Sequence, residues 1–578
     1  MKIDSARGRG AAAIVAGLAL LATTASLTTA PAQSAAIAGD CAQPYPVAAV
    51  TDGQVVDGLT VSDGTTPEAF TGEILGVIND GIAPGLDMVM ARLTSDEIDR
   101  VGIWQGMSGS PVYAEDGRLI GAVAYGLSWG PSTVAGITPF EDMDDYLGAS
   151  SAPRTVKVSD KAARAIAADS DVTAAQASRG FSQLPMPLAY SGLTQKRLNL
   201  MKKKGPDYLR TRGAVAMGAA SAAADAGPES LVAGGNLGAA ISYGDITAGG
   251  VGTVTSVCDD RLVGFGHPMT FGGATTLGLM PADAVYVQED PVGPGLKVAN
   301  MGAPAGTIDQ DRLTGISGSL GVLPPETDVT STVTYGARSR TGSTASLVPD
   351  YNATITFSQI LANHDRVVDA IQPGSEVATF SVTGTDRDGN PFDISFAERY
   401  TSPWDVAFES IFEIADIVWS LSSMEGVTVD DVTATAEVSD TTAMYRVKQI
   451  EQKIRGQWVT VGRRQPAVAK AGGSLKLRAT LGSAGVTHLV PLVVPVPENT
   501  RRGGFLLVSG GASVWDNAIY KAKTPAAMEA AVANMVRNDE VVASLYFSRR
   551  GNNPTSVMSD SQDLVVRGRE YAEVRVRR

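Results

Sequence analysis

Short apolar or alternating runs, each closed by Gly, Pro, Asp or Asn, recur from Val47 to about Leu147: Phe70 to Ile78, Asp87 to Leu93, Arg118 to Tyr125 and Thr133 to Thr138. Alternation in period two is the signature of half-buried strands, and close spacing with turn chemistry between the runs predicts a small barrel or sandwich. From Ser150 to about Gly180 the chain turns to Ala, Ser, Lys and Asp without an apolar stripe, which predicts a linker. Strand-like runs return between Phe181 and Tyr335 (Gly238 to Tyr243, Gly252 to Val257, Leu262 to Phe265) and predict a second barrel. The alternation continues from Ala345 to Tyr400, as in Ala353 to Phe357 and Val377 to Val382. Phe408, Ile411, Phe412, Ile414, Ala415 and Val418 then follow helical spacing, so one amphipathic helix is expected over Asp405 to Leu421. Val427 to Pro497 reads as a β-sandwich module, and the remainder as a helix from Ala526 to Arg537 with strands such as Val541 to Phe547.

Length and composition fit that outline. At 578 residues, with 44% hydrophobic and 19% charged residues, 63 Gly and 30 Pro, the chain is turn-rich and globular, long enough for about three or four domains. Lys2, Arg7 and Arg9 precede a small, apolar run from Ala11 to Leu27 and then Ala30-Pro31-Ala32 and Ala36-Ile37-Ala38. That order predicts a cleavable export signal over residues 1–36, and so a secreted or cell-envelope protein with no integral membrane span after its removal. The expected segments are then 37–149, a linker at 150–180, 181–338, a β segment with the amphipathic helix at 339–424, a sandwich-like module at 425–500 and an α/β segment at 501–578. Two cysteines remain, Cys41 and Cys258, and an oxidising compartment permits them to pair; two separate thiols are the other reading. A net charge of -14 argues against nucleic acid or an anionic membrane as partner.

The most chemically specific stretch is Gly102-Ile-Trp-Gln-Gly-Met-Ser-Gly-Ser-Pro-Val112. A serine hydroxyl needs a base, a partner to orient that base, and donors for the oxyanion. Gly106 and Gly109 flank Met107-Ser108 and allow a tight turn in which the backbone amides of Gly106 and Ser108 converge on one oxygen. Pro111 to Tyr113 and Arg118 to Tyr125 form a hairpin behind it, with Glu115-Asp-Gly117 at the tip.

A histidine base must be one of three: His267, His364 and His488. His488 sits in an apolar strand and reads as a packing residue. His364, in Ala362-Asn-His-Asp-Arg366, reads as a surface residue. His267, in Gly264-Phe-Gly-His-Pro268 at a strand end, is exposed and restrained by its neighbours, and is the candidate base.

These motifs resemble the SpoIVB-type (stage IV sporulation protein B) serine peptidases, a chymotrypsin-like family. There a Gly-Met-Ser-Gly-Ser-Pro turn holds the nucleophile and is followed by a hairpin and a Gly-Ala-Val strand, as at Gly121 to Val123. A Gly-Thr-x-Thr strand, as at Gly252 to Thr255, precedes a Gly-His-Pro-like turn with the catalytic histidine. The resemblance implies a mainly β fold: a chymotrypsin-like pair of β-barrels followed by β-sandwich-type C-terminal modules with a few helices. It further implies Ser108 as nucleophile, His267 as base and a protein or peptide substrate, with self-cleavage included. This chain departs from the family in order, its serine segment preceding its histidine segment. A docked pair of half-barrels tolerates such a permutation, and a Cys41 to Cys258 bridge would hold the halves together.

The third catalytic member stays open. Asp96, in Thr94-Ser-Asp-Glu-Ile98, lies about where the family carries its aspartate; Asp87 and Asp99 are rivals, and a backbone carbonyl on the histidine would make any carboxylate unnecessary. Gly302 to Arg312 also resembles the histidine half, and no role is expected for its carboxylates. No metal-ligand cluster and no nucleotide-binding fingerprint appears, so no cofactor is expected. Lys202 to Lys204 reads as a solvated face. The rival reading is a non-catalytic extracellular binding or assembly protein on the same scaffold.

Overall fold

The computed structural model describes residues 41–127, 130–144, 155–156, 158–168, 173–178, 180–184, 188–209, 214–216, 226–500, 503–515, 517–547 and 554–577. The expected export signal lies outside them.

The chain is mainly β, and its first two bodies are closed barrels. Six antiparallel strands make the first: β1 (Val55–Thr60), β2 (Glu68–Ala83), β3 (Leu86–Thr94), β4 (Pro111–Ala114), β5 (Leu119–Leu127) and β6 (Val134–Pro139). Their order is β1-β2-β3-β6-β5-β4, and β4 pairs back onto β1 to close the ring. A short helix, α1 (Asp96–Val101), follows β3. Closure removes free sheet edges, and the alternate side chains Phe70, Ile74, Val89, Ala91, Leu93, Val123 and Ile137 fill the interior. Strand Phe181–Gln183 adds to β5 of this barrel, so the crossing to the second barrel follows it, later than the expected boundary at 181.

The second barrel repeats the architecture with β7 (Asn236–Gly244), β8 (Ala248–Cys258), β9 (Arg261–Gly264), β10 (Gly273–Gln288), β12 (Gly306–Arg312) and β13 (Gly315–Leu320), in the closed order β7-β8-β9-β13-β12-β10. A further strand, β11 (Leu296–Met301), lies off this ring and forms a hairpin with β10. That hairpin reaches the first barrel: Gln105 N donates to Gly295 O at 2.7 Å, and Lys297 N to Gln105 O at 2.9 Å.

From β7 the sheet continues through strands Arg338–Ser346, Thr327–Tyr335, Thr428–Ser439, Gly374–Thr385 and Pro391–Ser402. Helices α2 (Asn352–Val368) and α3 (Phe412–Ser422) pack with this layer; the single amphipathic helix expected over Asp405 to Leu421 is divided at Ser410 into a short helix, Val406–Glu409, and α3. Helix α2 corrects the expected strand at Ala353 to Phe357. Fifteen of its residues are buried, including Thr354, Thr356, Ser358, Gln359 and Asn363. A helix enclosed on every side carries no apolar stripe, and a short β-branched stretch such as Ala-Thr-Ile-Thr-Phe then reads as alternation. Two five-stranded sheets over residues 445–577 close around one core that includes Leu477, Leu492, Val508 and Val574. The strands of the segments expected as separate at 425–500 and 501–578 therefore build one sandwich, while Thr428–Ser439 and the helix Pro525–Ala533 belong to the helix-bearing layer. Among the described residues no helix is long and apolar enough to cross a membrane.

Candidate active site

Between α1 and β4 the chain makes two successive turns, closed by Met107 N to Trp104 O (3.1 Å) and Ser110 N to Met107 O (3.0 Å). Trp104 and Met107 are fully buried in the first barrel's core and anchor these turns, leaving Ser108 to face the second barrel. Gly109 has φ +100°, and a Cβ there would lie 1.9 Å from the Thr253 carbonyl oxygen, so only glycine allows this approach. Gly106 also has φ +100° and lies against the stem of Lys297. The Gly106 and Ser108 amides donate to no protein acceptor among the described residues, whereas Met107 N between them is taken up by the turn. Ser110, the second serine of the motif, is structural: its buried hydroxyl donates to Thr60 Oγ1 at 2.9 Å.

The Gly252 to Thr255 motif receives this turn. Thr253 N donates to Ser108 O (2.8 Å), Thr253 Oγ1 to Gly106 O (3.1 Å) and Thr255 Oγ1 to Gly109 O (2.8 Å). β8 thus binds three carbonyls of the serine turn across the interface. On the other side Thr138 Oγ1, from β6, donates to Gly266 O at 2.6 Å and fixes the histidine turn. A disulfide between Cys41 and Cys258 joins the end of β8 to the N-terminal segment, which itself pairs with the start of β5 through Pro44 and Tyr45. The covalent link therefore staples one barrel to the other.

His267 follows β9 in the turn Phe265-Gly-His-Pro268, and it is fully buried against the first barrel rather than exposed as the bracketing glycine and proline predict. Phe265 is buried at φ +71°, a strained conformation for an aromatic residue, held by the packing around it. His267 Nε2 lies 2.8 Å from Ser108 Oγ, although the two residues are 159 positions apart and belong to different barrels. The other ring nitrogen, Nδ1, lies 2.8 Å from the Pro268 carbonyl oxygen. A carbonyl only accepts, so Nδ1 carries the proton and Nε2 is left to accept from the serine hydroxyl. Burial lowers the imidazole pKa to about 4, against smaller opposing effects of the Pro268 carbonyl and the Asp311 charge, so the ring is neutral at pH 7. This is the tautomer and charge state of a general base.

No carboxylate takes the place expected for Asp96. Asp96 is exposed in the first turn of α1, where Ser95 Oγ caps Ile98 N at 3.2 Å and acidic residues favour the positive end of the helix. Thr94-Ser-Asp-Glu is thus a helix start. Asp87 accepts from Asp80 N, and Asp99 from Thr94 Oγ1. The carbonyl alternative is the one the structure adopts.

His364 corrects the expected surface position: it is fully buried in α2, with Nε2 3.0 Å from Glu376 Oε2 and Nδ1 2.8 Å from Ile360 O. His488, expected to pack inside, is exposed and stacks on Tyr445. Lys202 to Lys204 are exposed at the end of helix Gln195–Lys204, as a solvated face requires.

Two residues bear on the site without having been expected to: Lys297, which no motif marks, and Asp311, which corrects the expectation that the carboxylates of Gly302 to Arg312 have no role. Lys297 is fully buried, its Nζ donates to Asn236 Oδ1 at 2.8 Å, and desolvation lowers its pKa to about 7. Asp311, on β12, is also fully buried and binds the chain just after His267. Cys41, Cys258 and Asp259 lie close enough to share a metal, but the two sulfurs are joined to each other. A cavity of about 330 Å³ opens elsewhere, beside Glu413, Asp416 and Trp515, and contributes nothing to the pair.

The chain matches no family model, no curated protein and no solved structure.

Proposed function

We propose that the chain is an exported serine endopeptidase of the SpoIVB type, with its serine and histidine segments in permuted order. The observation that carries this reading is the 2.8 Å contact between Ser108 Oγ and His267 Nε2, made across two closed barrels by residues from separate motifs. Ser108 Oγ attacks the scissile carbonyl while Nε2 takes its proton and then returns it to the leaving amine; water repeats the sequence to hydrolyse the acyl-enzyme. The uncommitted amides of Gly106 and Ser108 are the donors available to the oxyanion, and such donors supply about 3 kcal/mol each when one is removed. The Pro268 carbonyl holds the imidazole in the useful tautomer.

A fluorophosphonate probe tests the reading. Wild-type protein is expected to be labelled, and Ser108→Ala and His267→Ala to be unlabelled. Absence of labelling in folded wild-type protein over its whole range of stability would sink it.

One observation favours the second reading, a binding or assembly protein that retains the scaffold. Ser108 and His267 are 1% and 0% exposed, so a substrate reaches them only after local opening. A wild-type protein that stays inert to a small probe, yet remains folded, supports that alternative.

A further inference from the structure

We infer that Asp311 is the positioning residue of the His267 base, acting through the chain segment that follows the histidine rather than by touching the ring. This rests on the reading of Ser108 and His267 as the reacting pair.

Asp311 is 0% exposed on β12, paired on one side with Gly273 and on the other with Ile316. A buried carboxylate is costly unless its oxygens are satisfied, and these are satisfied by one short segment. Oδ1 accepts from Met269 N at 2.8 Å; Oδ2 accepts from Thr270 N and Thr270 Oγ1, both at 2.7 Å, and from Gly272 N at 3.3 Å. The segment so gathered, Pro268 to Gly272, begins with the carbonyl that accepts from His267 Nδ1. Its fourth residue, Phe271, stands 44% exposed at φ +60°, a conformation that the hydrogen bonds on both sides impose. One carboxylate therefore fixes the position of the Pro268 oxygen, and with it the ring's tautomer. Its negative charge, close behind the same segment, also favours the imidazolium that forms when Ser108 gives up its proton. In a Ser-His-Asp triad both tasks fall to a carboxylate bonded to the ring; here a backbone carbonyl makes the contact and the carboxylate lies one link further away.

The test uses the full chain with 15N-labelled histidine, whose three ring systems are distinguished with His364→Gln and His488→Gln. In wild-type protein His267 is expected as the Nδ1-protonated neutral tautomer. In Asp311→Asn the charge is lost and one oxygen is replaced by a donor facing donors, so the Nδ1-protonated population falls and the His267 midpoint moves to lower pH. Fluorophosphonate labelling per folded molecule falls in parallel, roughly 10- to 100-fold, less than for loss of a ring-bound triad carboxylate. Thr270→Val removes one of the four donors with little volume change and is expected to shift both readouts the same way by a smaller amount, which keeps the test decisive if Asp311→Asn fails to fold. An unchanged tautomer and midpoint in the folded variants overturns the role of Asp311 whether or not the wild type is labelled. Inert wild-type protein with the expected histidine shift overturns the peptidase reading alone.

Discussion

Two fully buried histidines, one between the barrels and one in the helix-bearing layer, have opposite electrostatics. His267 touches a carbonyl and a hydroxyl, and burial of its charge outweighs the smaller opposing effects of the Pro268 carbonyl and the Asp311 charge, so its pKa falls to about 4. Burial acts on His364 in the same direction, but the Glu376 carboxylate, together with the Ile360 carbonyl and Asp365, outweighs it and raises its pKa. Burial alone thus does not say whether a histidine is a base or half of an ion pair; the partner atom does. A neutral imidazole beside a hydroxyl can accept a proton from it, whereas His364, paired with a carboxylate that favours its protonated form, has no hydroxyl to activate and serves cohesion.

The sharpest way to break the comparison is to exchange the two roles by mutation. His267→Gln keeps a polar side chain but no base, and labelling of Ser108 is expected to fall by at least about 1,000-fold. His364→Gln is expected to leave labelling per folded molecule unchanged while lowering stability by about 3 kcal/mol in urea unfolding, because it strands Glu376 without its charge partner. Equal losses of labelling in both variants would mean that His267 acts only through the fold.

The pH dependence of stability separates them next. His267 binds a proton more readily when unfolded, so its contribution falls as pH drops from 6.5 towards 4, by about 3 kcal/mol over that window. His364 binds a proton more readily when folded; its contribution is complete below about pH 6.5 and is lost as pH rises through its raised folded pKa. Urea midpoints measured from pH 4.5 to 9 are expected to show a flatter acid limb in His267→Gln and a flatter alkaline limb in His364→Gln. The same slope change in both variants would contradict the assignment of charge.

The disulfide bears on how the His267 side is held. Cys41 and Cys258 close a loop of 217 residues, and Cys258→Ser is expected to cost about 2–4 kcal/mol, chiefly by freeing the unfolded chain. Labelling per folded molecule should stay within about threefold, because the Thr253 and Thr255 bonds to the serine turn survive. A Thr253→Val variant that keeps full labelling while Cys258→Ser loses it would reverse that ranking.

The contrast also explains what the sequence could convey. The barrels, the turn at Ser108, the histidine turn and the hairpin between Pro111 and Tyr125 are written in short-range patterns: period-two runs, paired glycines and a Gly-His-Pro corner. The pairing of Ser108 with His267 is reached by counting three histidines, by the Gly-His-Pro corner and by the family resemblance, but no local pattern reports the contact itself. Charge state could not be reached at all. Glu376 and Pro268 become histidine partners through sheet and turn geometry, and the sequence around His364 looks as polar as a surface. The segment Gly302 to Arg312 resembles the histidine half, yet its sequence gives Asp311 no role, because the donors it gathers, Met269 to Gly272, lie about forty positions upstream and donate mainly through backbone, which any residue type supplies. Helix α2 is illegible for a related reason: full burial erases the stripe by which a helix is recognised.

The smallest expected effect concerns Asp96, and it decides whether a ring-bound carboxylate is needed. In the structure Asp96 is exposed at the positive end of a one-turn helix, while His267 Nδ1 is already satisfied by the Pro268 carbonyl. Asp96→Asn therefore removes only a favourable charge at the helix start, about 0.3–1 kcal/mol of stability, and labelling is expected to stay within about twofold. Were Asp96 to reach His267 in a reactive conformation, its loss would remove the partner of the imidazolium, and labelling would fall by about 1,000-fold or more, as in a triad. The two outcomes differ by orders of magnitude, so a single labelling time course separates them. Retained labelling leaves the histidine dependent on a carbonyl in this site, the arrangement in which burial lowers the pKa of His267 while a carboxylate raises that of His364.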